Sequence, residues 1–242
     1  MKTKTILTAA VLFLISYTLY LIPLSFAQPP NLPGAGNCLS FNGTSDYVNC
    51  GNSNSLNPSS EITVTAWINN PSAGGGIVGK HEWTSPSYAK GWFFATNGAT
   101  LYFGIGNGST DYDIVFVGSI LSGVWYHITG VYSGGITKCY INGILITTNS
   151  STAYAPYGAG DLFIGGCGGG GSNIGNGCGY FNGKIDEVSI WNRALSQTEI
   201  RDNMCQKLTG SEAGLVGYWR FDETSGTTAY DSSPNGNNGT LK

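Results

Sequence analysis

The sequence predicts an all-β protein that folds as two antiparallel sheets with one short helix towards its C-terminal end. Residues 61–69 alternate aliphatic side chains with Glu, Thr and Trp, which is typical of a strand with one face in a core. Asn142–Gly143 separates two short apolar runs, and an Asn-Gly pair in that position is a strong hairpin signal. Ser196 and Glu199 have the spacing of a capping box, which predicts a helix over 197–204.

Most of the remaining chain consists of short apolar runs separated by turn residues, at the spacing of a β-sandwich. Further strands are expected over residues 76–80, 91–96, 100–106, 113–118, 125–131, 138–140, 144–147, 161–165, 184–191 and 215–221.

The predicted strand over 184–191 carries two adjacent acids. Strict alternation places Asp186 on one face with Val188 and Ile190, and places Ile185 and Glu187 on the other. A carboxylate on the face of Val188 and Ile190 needs a partner, either backbone N–H donors or a metal ion.

Residues 1–27 have the pattern of a secretory signal peptide. Lys2 and Lys4 precede a long uncharged apolar run, and the small residues Ser25 and Ala27 stand where signal peptidase accepts them. The apolar run approaches the length of a membrane span, so an uncleaved anchor is the alternative. We expect cleavage after Ala27, which predicts a secreted or cell-surface protein without stable membrane insertion.

The exported part of the chain is acidic and has low charge density. Removal of residues 1–27 takes two of the eleven basic residues and none of the fourteen acids, which leaves a net charge of −5. Since there is no basic patch, nucleic acid is excluded as a partner. A Pro/Gly-rich linker is expected over 28–37, followed by a single domain over 38–242.

Five segments carry a wider resemblance: LSFNGTSDYVNCGNSNSLN (39–57), EITVTAWIN (61–69), VWYHITGVYSGGITKCYINGILI (124–146), FNGKIDEVSIWNRALSQTEI (181–200) and GLVGYWRFDETSGTTAYDSSPNGNNGTL (214–241). Together they resemble the laminin-G-like, pentraxin-related domains of the concanavalin A-like lectin superfamily. The resemblance implies a jelly-roll sandwich. It leaves the function open, because that superfamily holds sugar binders, glycan hydrolases and adhesion modules.

In this family a segment like 214–241 either closes one domain or leads into another copy. We expect 215–221 to complete the sheet of this domain and 231–242 to form a tail. The alternative is that the chain is a piece of a repeat protein.

Six cysteines in an exported chain favour disulfide bonds. Cys167 and Cys178 flank a glycine-rich loop, and a bridge between them would close it. If the first strand pairs with 184–191, a Cys38–Cys205 bridge is plausible, which leaves Cys50 with Cys139; the sequence alone leaves other pairings open. Zinc is disfavoured because no CxxC spacing occurs.

The sequence offers no pair of acids suited to glycan hydrolysis. A retaining hydrolase of this superfamily needs alternating acids on one strand, whereas Asp186 and Glu187 are adjacent. Asp111 and Asp113 are two apart but lie in a predicted loop edge. His127 follows Trp125 in a pattern that resembles the family's aromatic–histidine pair, which implies a structural role. We therefore predict that the protein is not an enzyme.

Calcium is the cofactor that the resemblance implies, because the family binds it through loop-end oxygens. The matching positions are Asp46, Asn182, Asp186 and Glu187. The alternative is that Asp46 and Asp186 cap turns by accepting backbone N–H bonds.

A glycan site is expected on loops that combine aromatic rings with amides or carboxylates. Three predicted loops offer such groups: Glu82, Trp83 and Tyr88; Asp111, Tyr112 and Asp113; and Tyr154 with Tyr157. Packing is the alternative role for each aromatic ring. The sequence thus predicts a carbohydrate-binding or adhesion module whose partner is a glycan or an extracellular protein. The alternatives are a structural, protein-contact domain of a larger surface assembly and, less favoured, a glycan hydrolase.

Overall fold

The structure is a computed structural model that describes residues 37–69, 74–85, 88–108, 112–150, 153–166 and 179–242. For residues 82–85, 88 and 112 only the backbone is described. The predicted signal peptide, all but the last residue of the predicted linker, and the predicted Cys167–Cys178 bridge lie outside these residues. None of the helices that the structure describes is long and apolar enough to span a membrane.

Within the described residues the chain forms fifteen strands, one α-helix and a 3₁₀ turn over Asn54–Leu56. In chain order these are β1 (Leu39–Asn42), β2 (Val48–Asn49), β3 (Glu61–Asn69), β4 (Gly75–Ser85), β5 (Tyr88–Asn97), β6 (Thr100–Gly106), β7 (Tyr112–Ser119), β8 (Trp125–Ser133), β9 (Ile136–Ile141), β10 (Ile144–Ser150), β11 (Phe163–Ile164), β12 (Asn182–Trp191), α1 (Gln197–Asn203), β13 (Leu215–Trp219), β14 (Thr228–Ala229) and β15 (Gly239–Leu241).

The strands form two antiparallel sheets, which confirms the predicted fold class. The seven-stranded sheet has the order β1-β12-β3-β8-β9-β10, and β13 also pairs with β12. The eight-stranded sheet has the order β14-β15-β2-β11-β4-β5-β6-β7. The predicted pairing of the first strand with the strand over 184–191 is confirmed by the register of Leu39 opposite Ile185.

The main core lies between the two sheets. On β3 the aliphatic residues Ile62, Val64, Ala66 and Ile68 all enter this core with no exposed surface, as the alternation predicts. The eight-stranded sheet contributes large aromatic side chains, including Trp92, Phe94 and Phe103. The two faces of a strand therefore separate cleanly, and the odd-numbered residues of β3 point away from the core.

Helix α1 covers the outer face of the seven-stranded sheet. The predicted capping box is present, because Glu199 N donates to Ser196 Oγ and Ser196 N donates to Glu199 Oε2. Ile200 is fully buried in a second cluster with Trp191 and Tyr218. Burial of this apolar face stabilises a helix that is too short to persist alone in water.

The C-terminal segment is part of the fold, so the prediction of a tail over 231–242 is wrong. Gly239–Leu241 forms β15, which pairs with β2 and β14 inside the eight-stranded sheet. Between these strands the Asp231 carboxylate accepts backbone N–H bonds from Tyr218, Ser233 and Asn237, each at 2.8 Å. A segment with these contacts closes one edge of the sandwich.

The strict alternation predicted for β12 is also wrong, because the strand contains a β-bulge at Glu187. Its φ of 49° is left-handed, and the register against β3 shifts between Asp186 and Ser189. Ile185 and Val188 consequently both enter the main core. Asp186 no longer shares a face with Val188 and Ile190.

Four cysteines are free in the structure: Cys38, Cys50, Cys139 and Cys205. The expected Cys38–Cys205 and Cys50–Cys139 bridges are therefore not formed. Cys50 and Cys139 are both buried in the main core, where they pack as small apolar side chains.

Candidate functional site

The outer face of the eight-stranded sheet carries a cross-strand row in which large side chains alternate with glycines. Phe163 on β11 lies opposite Gly79 on β4, Gly79 opposite Phe93 on β5, Phe93 opposite Gly104 on β6, and Gly104 opposite Ile114 on β7. The neighbours Trp92 and Phe94 enter the main core, so this row points away from it. We call these five residues the aromatic ladder.

The two glycines of the ladder let aromatic rings lie flat on the sheet. A Cβ atom added at Gly104 would overlap the Phe93 ring. A Cβ atom added at Gly79 would lie 3.0 Å from both His81 Nδ1 and Phe93 Cβ. Glycine in a strand interior weakens the strand and marks a close approach, which is what these contacts show.

Further aromatic side chains flank the ladder at both ends. At one end, Tyr47 lies 5.8 Å from Phe163 and 6.0 Å from Tyr180, measured between ring centroids. At the other end, Tyr102 and Phe116 form an edge-to-face pair at 6.2 Å. Phe116 is 57% exposed, so an apolar ring is open to solvent on this face.

The polar groups on this face are neutral or already paired. Burial lowers the pKa of His81 to about 4, so its ring is uncharged at neutral pH, where it lies 5.2 Å from Phe93. Beside Phe163, Asn49 Nδ2 donates to Asp161 Oδ2 at 2.9 Å. An amide and a carboxylate therefore stand next to the aromatic rings.

The backbone brings the three predicted ligand loops to one end of the same sheet. Trp83 pairs opposite Ala89 and Tyr112 opposite Gly106, and the Ala89 carbonyl accepts the Gly108 N–H. Ala155 accepts the N–H of Gly91 and donates to the carbonyl of Gly106.

The structure describes some of the predicted loop residues only by their backbone and others not at all. Glu82 lies on β4 and Tyr88 begins β5, and both are described by backbone alone. Asp111 lies outside the described residues.

Among the described loop candidates, Tyr154 has a packing role. Its ring lies 5.6 Å from Tyr132, its N–H donates to the Tyr132 hydroxyl, and burial raises its pKa. This contact with the main core matches the packing alternative for Tyr154, and its ligand role stays a prediction. Tyr157 and Asp113 are half-buried, which leaves part of each side chain accessible.

Two of the four predicted metal residues lie near the end of β1, Asp46 in the turn after it and Asn182 at the start of β12. Asp46 accepts from the N–H and the side-chain amide of Asn42, at 3.1 and 2.8 Å. Asn182 lies opposite Asn42 across the β1–β12 pair. Because Asp46 already accepts these bonds, the geometry matches the turn-capping alternative.

The other two metal residues, Asp186 and Glu187, lie four to five positions beyond Asn182 on β12, or about 13–17 Å at the usual strand rise. Glu187 accepts from the Tyr218 hydroxyl, and Asp186 Oδ1 accepts the Glu187 N–H at 3.0 Å. Burial raises the pKa of both, and burial together with the neighbouring Glu187 raises that of Asp186 to about 8. The described residues contain no group of three His, Cys, Asp or Glu placed to hold a metal. The four residues do not fit one calcium site.

The helix-covered face has little space for a ligand. His127 packs edge-to-face on Trp67 at 5.3 Å, and burial lowers its pKa to about 3. The cavity beside His127 and Glu187 has a volume of about 20 Å³, which holds a single water molecule. The bulge turns both Asp186 and Glu187 away from the main core, and a sugar is too large to reach Glu187 through this cavity.

Sequence reasoning missed the aromatic ladder. It placed β6 at its observed bounds, but β4 and β5 extend to Ser85 and from Tyr88, so the loop predicted around Glu82 is wrong there, and it looked for rings on loops rather than on strand faces. The available signal was the run Trp92, Phe93, Phe94, which puts aromatic rings on both faces of one strand, next to strands with central glycines.

Comparison with known proteins assigns the chain to a family. A laminin G family profile, described as the concanavalin A-like lectin/glucanases superfamily, matches residues 42–201, which is well over half of the chain. Comparison of the sequence with curated proteins gives no significant match.

Several solved structures have a similar fold. A candidate carbohydrate-binding protein from Bacteroides ovatus is 21% identical with a TM-score of 0.65, over 86% of this chain and 58% of that one. A structure named NanB plus Optactamide is 16% identical with a TM-score of 0.54, over 69% of this chain and 27% of that one. The heptameric SAP-like pentraxin from Limulus polyphemus is 19% identical with a TM-score of 0.49, over 67% and 78%. The chain thus spans less than two thirds of the Bacteroides protein.

Proposed function

The chain belongs to the concanavalin A-like lectin/glucanase superfamily, and we propose that it is an exported, non-catalytic module that binds saccharides on the outer face of its eight-stranded sheet. The observation that carries the proposal is the aromatic ladder with its flanking rings. The described residues 82–85, 88, 107–108 and 112–113 border that face at one end, so the predicted loop groups would contribute the polar contacts.

The physical argument is that a sugar ring presents an apolar C–H face and a rim of hydroxyl groups. The C–H face needs a flat apolar surface, which the exposed Phe116 ring and its neighbour Tyr102 supply. The hydroxyl groups need a few fixed polar partners, and Asn49 with Asp161 offers an amide and a carboxylate beside Phe163. The buried rings Phe93 and Phe163 form the floor that holds this surface in shape.

A non-catalytic role is favoured by the state of the two adjacent acids. Asp186 and Glu187 lie on the seven-stranded sheet, and Glu187 is engaged by the Tyr218 hydroxyl. The cavity beside Glu187 has room for about one water molecule, so a sugar has no space against this carboxyl group.

A glycan array tests the proposal. Wild-type protein is compared with Tyr102→Ala/Phe116→Ala and with Ile136→Ala, which removes an equally apolar side chain, 44% exposed, from the other sheet. We expect the wild type and Ile136→Ala to share the same hits and the double variant to lose at least some of them. A blank wild-type array, or a double variant that retains every hit at full strength, would contradict the proposal.

Calcium remains a prediction that the same array tests. Each array is run with calcium and with EDTA. The proposed binding uses aromatic rings with the Asn49 amide and the Asp161 carboxylate rather than the four predicted metal residues, so we expect hits that EDTA leaves unchanged. Hits that EDTA abolishes would show that a cation takes part through other residues.

The protein-contact alternative is favoured by one separate observation. Strand β10 is an edge strand without a charged residue, and Ile144, Leu145 and Ile146 are 39%, 42% and 46% exposed. Uncharged apolar edges are where sheets pair with other chains. Light scattering over a concentration series, on wild type and Leu145→Lys, would show association through this edge.

A further inference from the structure

A polar cleft lies where the 3₁₀ turn and the start of β3 approach the C-terminal closing segment. It has a volume of about 390 Å³, within the range of small-ligand sites. It is lined by Asn54, Ser55, Asn57, Pro58, Ser59, Ser60, Asn192, Val216 and Asn235. It shares none of these with the aromatic ladder or with the residues that flank it.

The walls of this cleft are held in place by hydrogen bonds. The Val216 carbonyl accepts from Asn235 Nδ2 at 3.1 Å and from Asn237 Nδ2 at 2.8 Å. Ser55 Oγ donates to Asn237 Oδ1 at 3.1 Å, which ties the 3₁₀ turn to the closing segment. The Asp231 carboxylate fixes the same segment through the N–H groups of Ser233 and Asn237. A ligand would therefore meet a preformed surface and pay little to order it.

The remaining polar side chains of the cleft have unused hydrogen-bonding capacity. Among the hydrogen bonds that the structure describes, none uses the side chain of Asn54, Ser59, Ser60 or Asn192. Asn57 Oδ1 is buried without a hydrogen-bond partner. Amides supply donors and acceptors together, and serine hydroxyls do the same. The cleft thus presents several neutral groups of both kinds.

The chemistry of the lining selects the class of ligand. The lining contains no ionisable side chain, so a carboxylate, sulfate or phosphate would lose water there without gaining a counter-charge. Only Pro58 and Val216 are apolar, which is too little surface for a hydrophobic ligand. We propose that this cleft is a second binding site, separate from the aromatic ladder, for a neutral, hydroxyl-rich saccharide.

The test isolates the cleft by removing the first site. Saturation-transfer difference NMR is recorded with cellotriose, xylotriose and mannotriose on Tyr102→Ala/Phe116→Ala protein. Two further proteins carry cleft substitutions on this background. One adds Asn54→Ala/Asn192→Ala, and the other adds Ser59→Ala/Ser60→Ala. All six positions lie in strands, turns or loops with part of the side chain exposed, and the methyl region of the proton spectrum confirms that each protein is folded.

We expect at least one trisaccharide to give signal on the first background, and each cleft pair to weaken its apparent affinity by about tenfold. Absence of signal from all three sugars on that background, or signal that both cleft pairs leave unchanged, would overturn the second site. Because the two sites share no residue, the glycan array can support the first site while this experiment rejects the second.

Discussion

The outer faces of the two sheets differ in their side chains and in what covers them. On the seven-stranded sheet the face is buried and combines an apolar cluster around Trp191 with a polar network: the Thr65 and Ser189 hydroxyls lie 2.7 Å apart, and Trp191 Nε1 donates to Ser189 at 2.8 Å. On the eight-stranded sheet the face is aromatic and glycine-rich, and its outermost ring, Phe116, is open to solvent. A buried polar network needs a cover, and α1 with the segment after it provides one.

This difference indicates which face is available for binding. On the helix-covered face the paired side chains of Thr65, Ser189 and Trp191 are buried beneath α1 and the segment after it, so a ligand could reach them only by displacing that cover. Aromatic rings that pack on glycine residues need no hydrogen-bond partners, and they hold their positions without a covering helix. The second face can therefore exchange water for a ligand without breaking the fold.

The largest expected effect concerns the helix-covered face. Trp191→Ala should lower the free energy of unfolding by about 3–5 kcal/mol, because it empties a fully buried site and removes the donor to Ser189. Urea denaturation measures this loss. Trp125→Ala, on the half-buried Trp125 of the same sheet, is the control and should cost clearly less. Equal losses would mean that α1 does not seal this face.

The next effect concerns the aromatic ladder. Gly104→Ala should cost about 1–3 kcal/mol, because the added methyl group overlaps the Phe93 ring and forces it to move. Gly158→Ala is the matched control, since an added Cβ there meets nothing within 4 Å and the change should stay within about 0.5 kcal/mol. If Gly104→Ala were as harmless as its control in thermal unfolding, the ring would not lie against β6.

A third prediction concerns pH and the bulge. Burial, reinforced by Glu187, raises the pKa of Asp186 from 3.8 to about 8. Above pH 4 the unfolded chain ionises this group while the folded chain keeps it protonated, so its contribution to stability is lost progressively between about pH 4 and pH 8.

Asp186→Asn should therefore raise the melting temperature at pH 8 and leave it nearly unchanged at pH 4. The neighbouring Asp222 and Lys207 act on the same carboxyl in opposite directions, and the variant leaves both in place. Asp202→Asn, on an exposed position of α1, controls for the loss of one charge. A gain that is the same at both pH values would contradict the raised pKa.

The smallest effect concerns the helix terminus. Ser196→Ala removes the N-cap acceptor for Glu199 N and should cost about 1 kcal/mol. Hydrogen exchange of the α1 amides should accelerate accordingly, while the amides of β5 and β6 stay as protected as before. Faster exchange on both sheets would show that the two faces are not independent.

Local patterns of sequence predicted much of this fold and little of the site. The alternation in β3 and the capping box of α1 depend on residues a few positions apart, and both are confirmed. The bulge at Glu187 was missed because a non-glycine residue with φ of 49° leaves no mark in an alternation pattern. Strands β14 and β15 have two and three residues, too few to show any period.

The aromatic ladder could not be read from any one segment. It joins Phe163, Gly79, Phe93, Gly104 and Ile114, which come from five strands, and only the register of those strands aligns them. The polar cleft likewise combines residues from 54 to 235 in the sequence. Long-range register therefore sets both candidate binding surfaces.

The most direct test of the proposed function is to locate a bound saccharide on the protein. Amide chemical shifts are followed by NMR while the strongest glycan from the array is titrated in, after assignment of β5, β6, β7, β9 and β10. We predict that the shifts cluster around Phe93, Gly104 and Phe116, and that β9 and β10 stay unchanged. Shifts confined to the seven-stranded sheet would contradict the assignment of binding to the aromatic ladder.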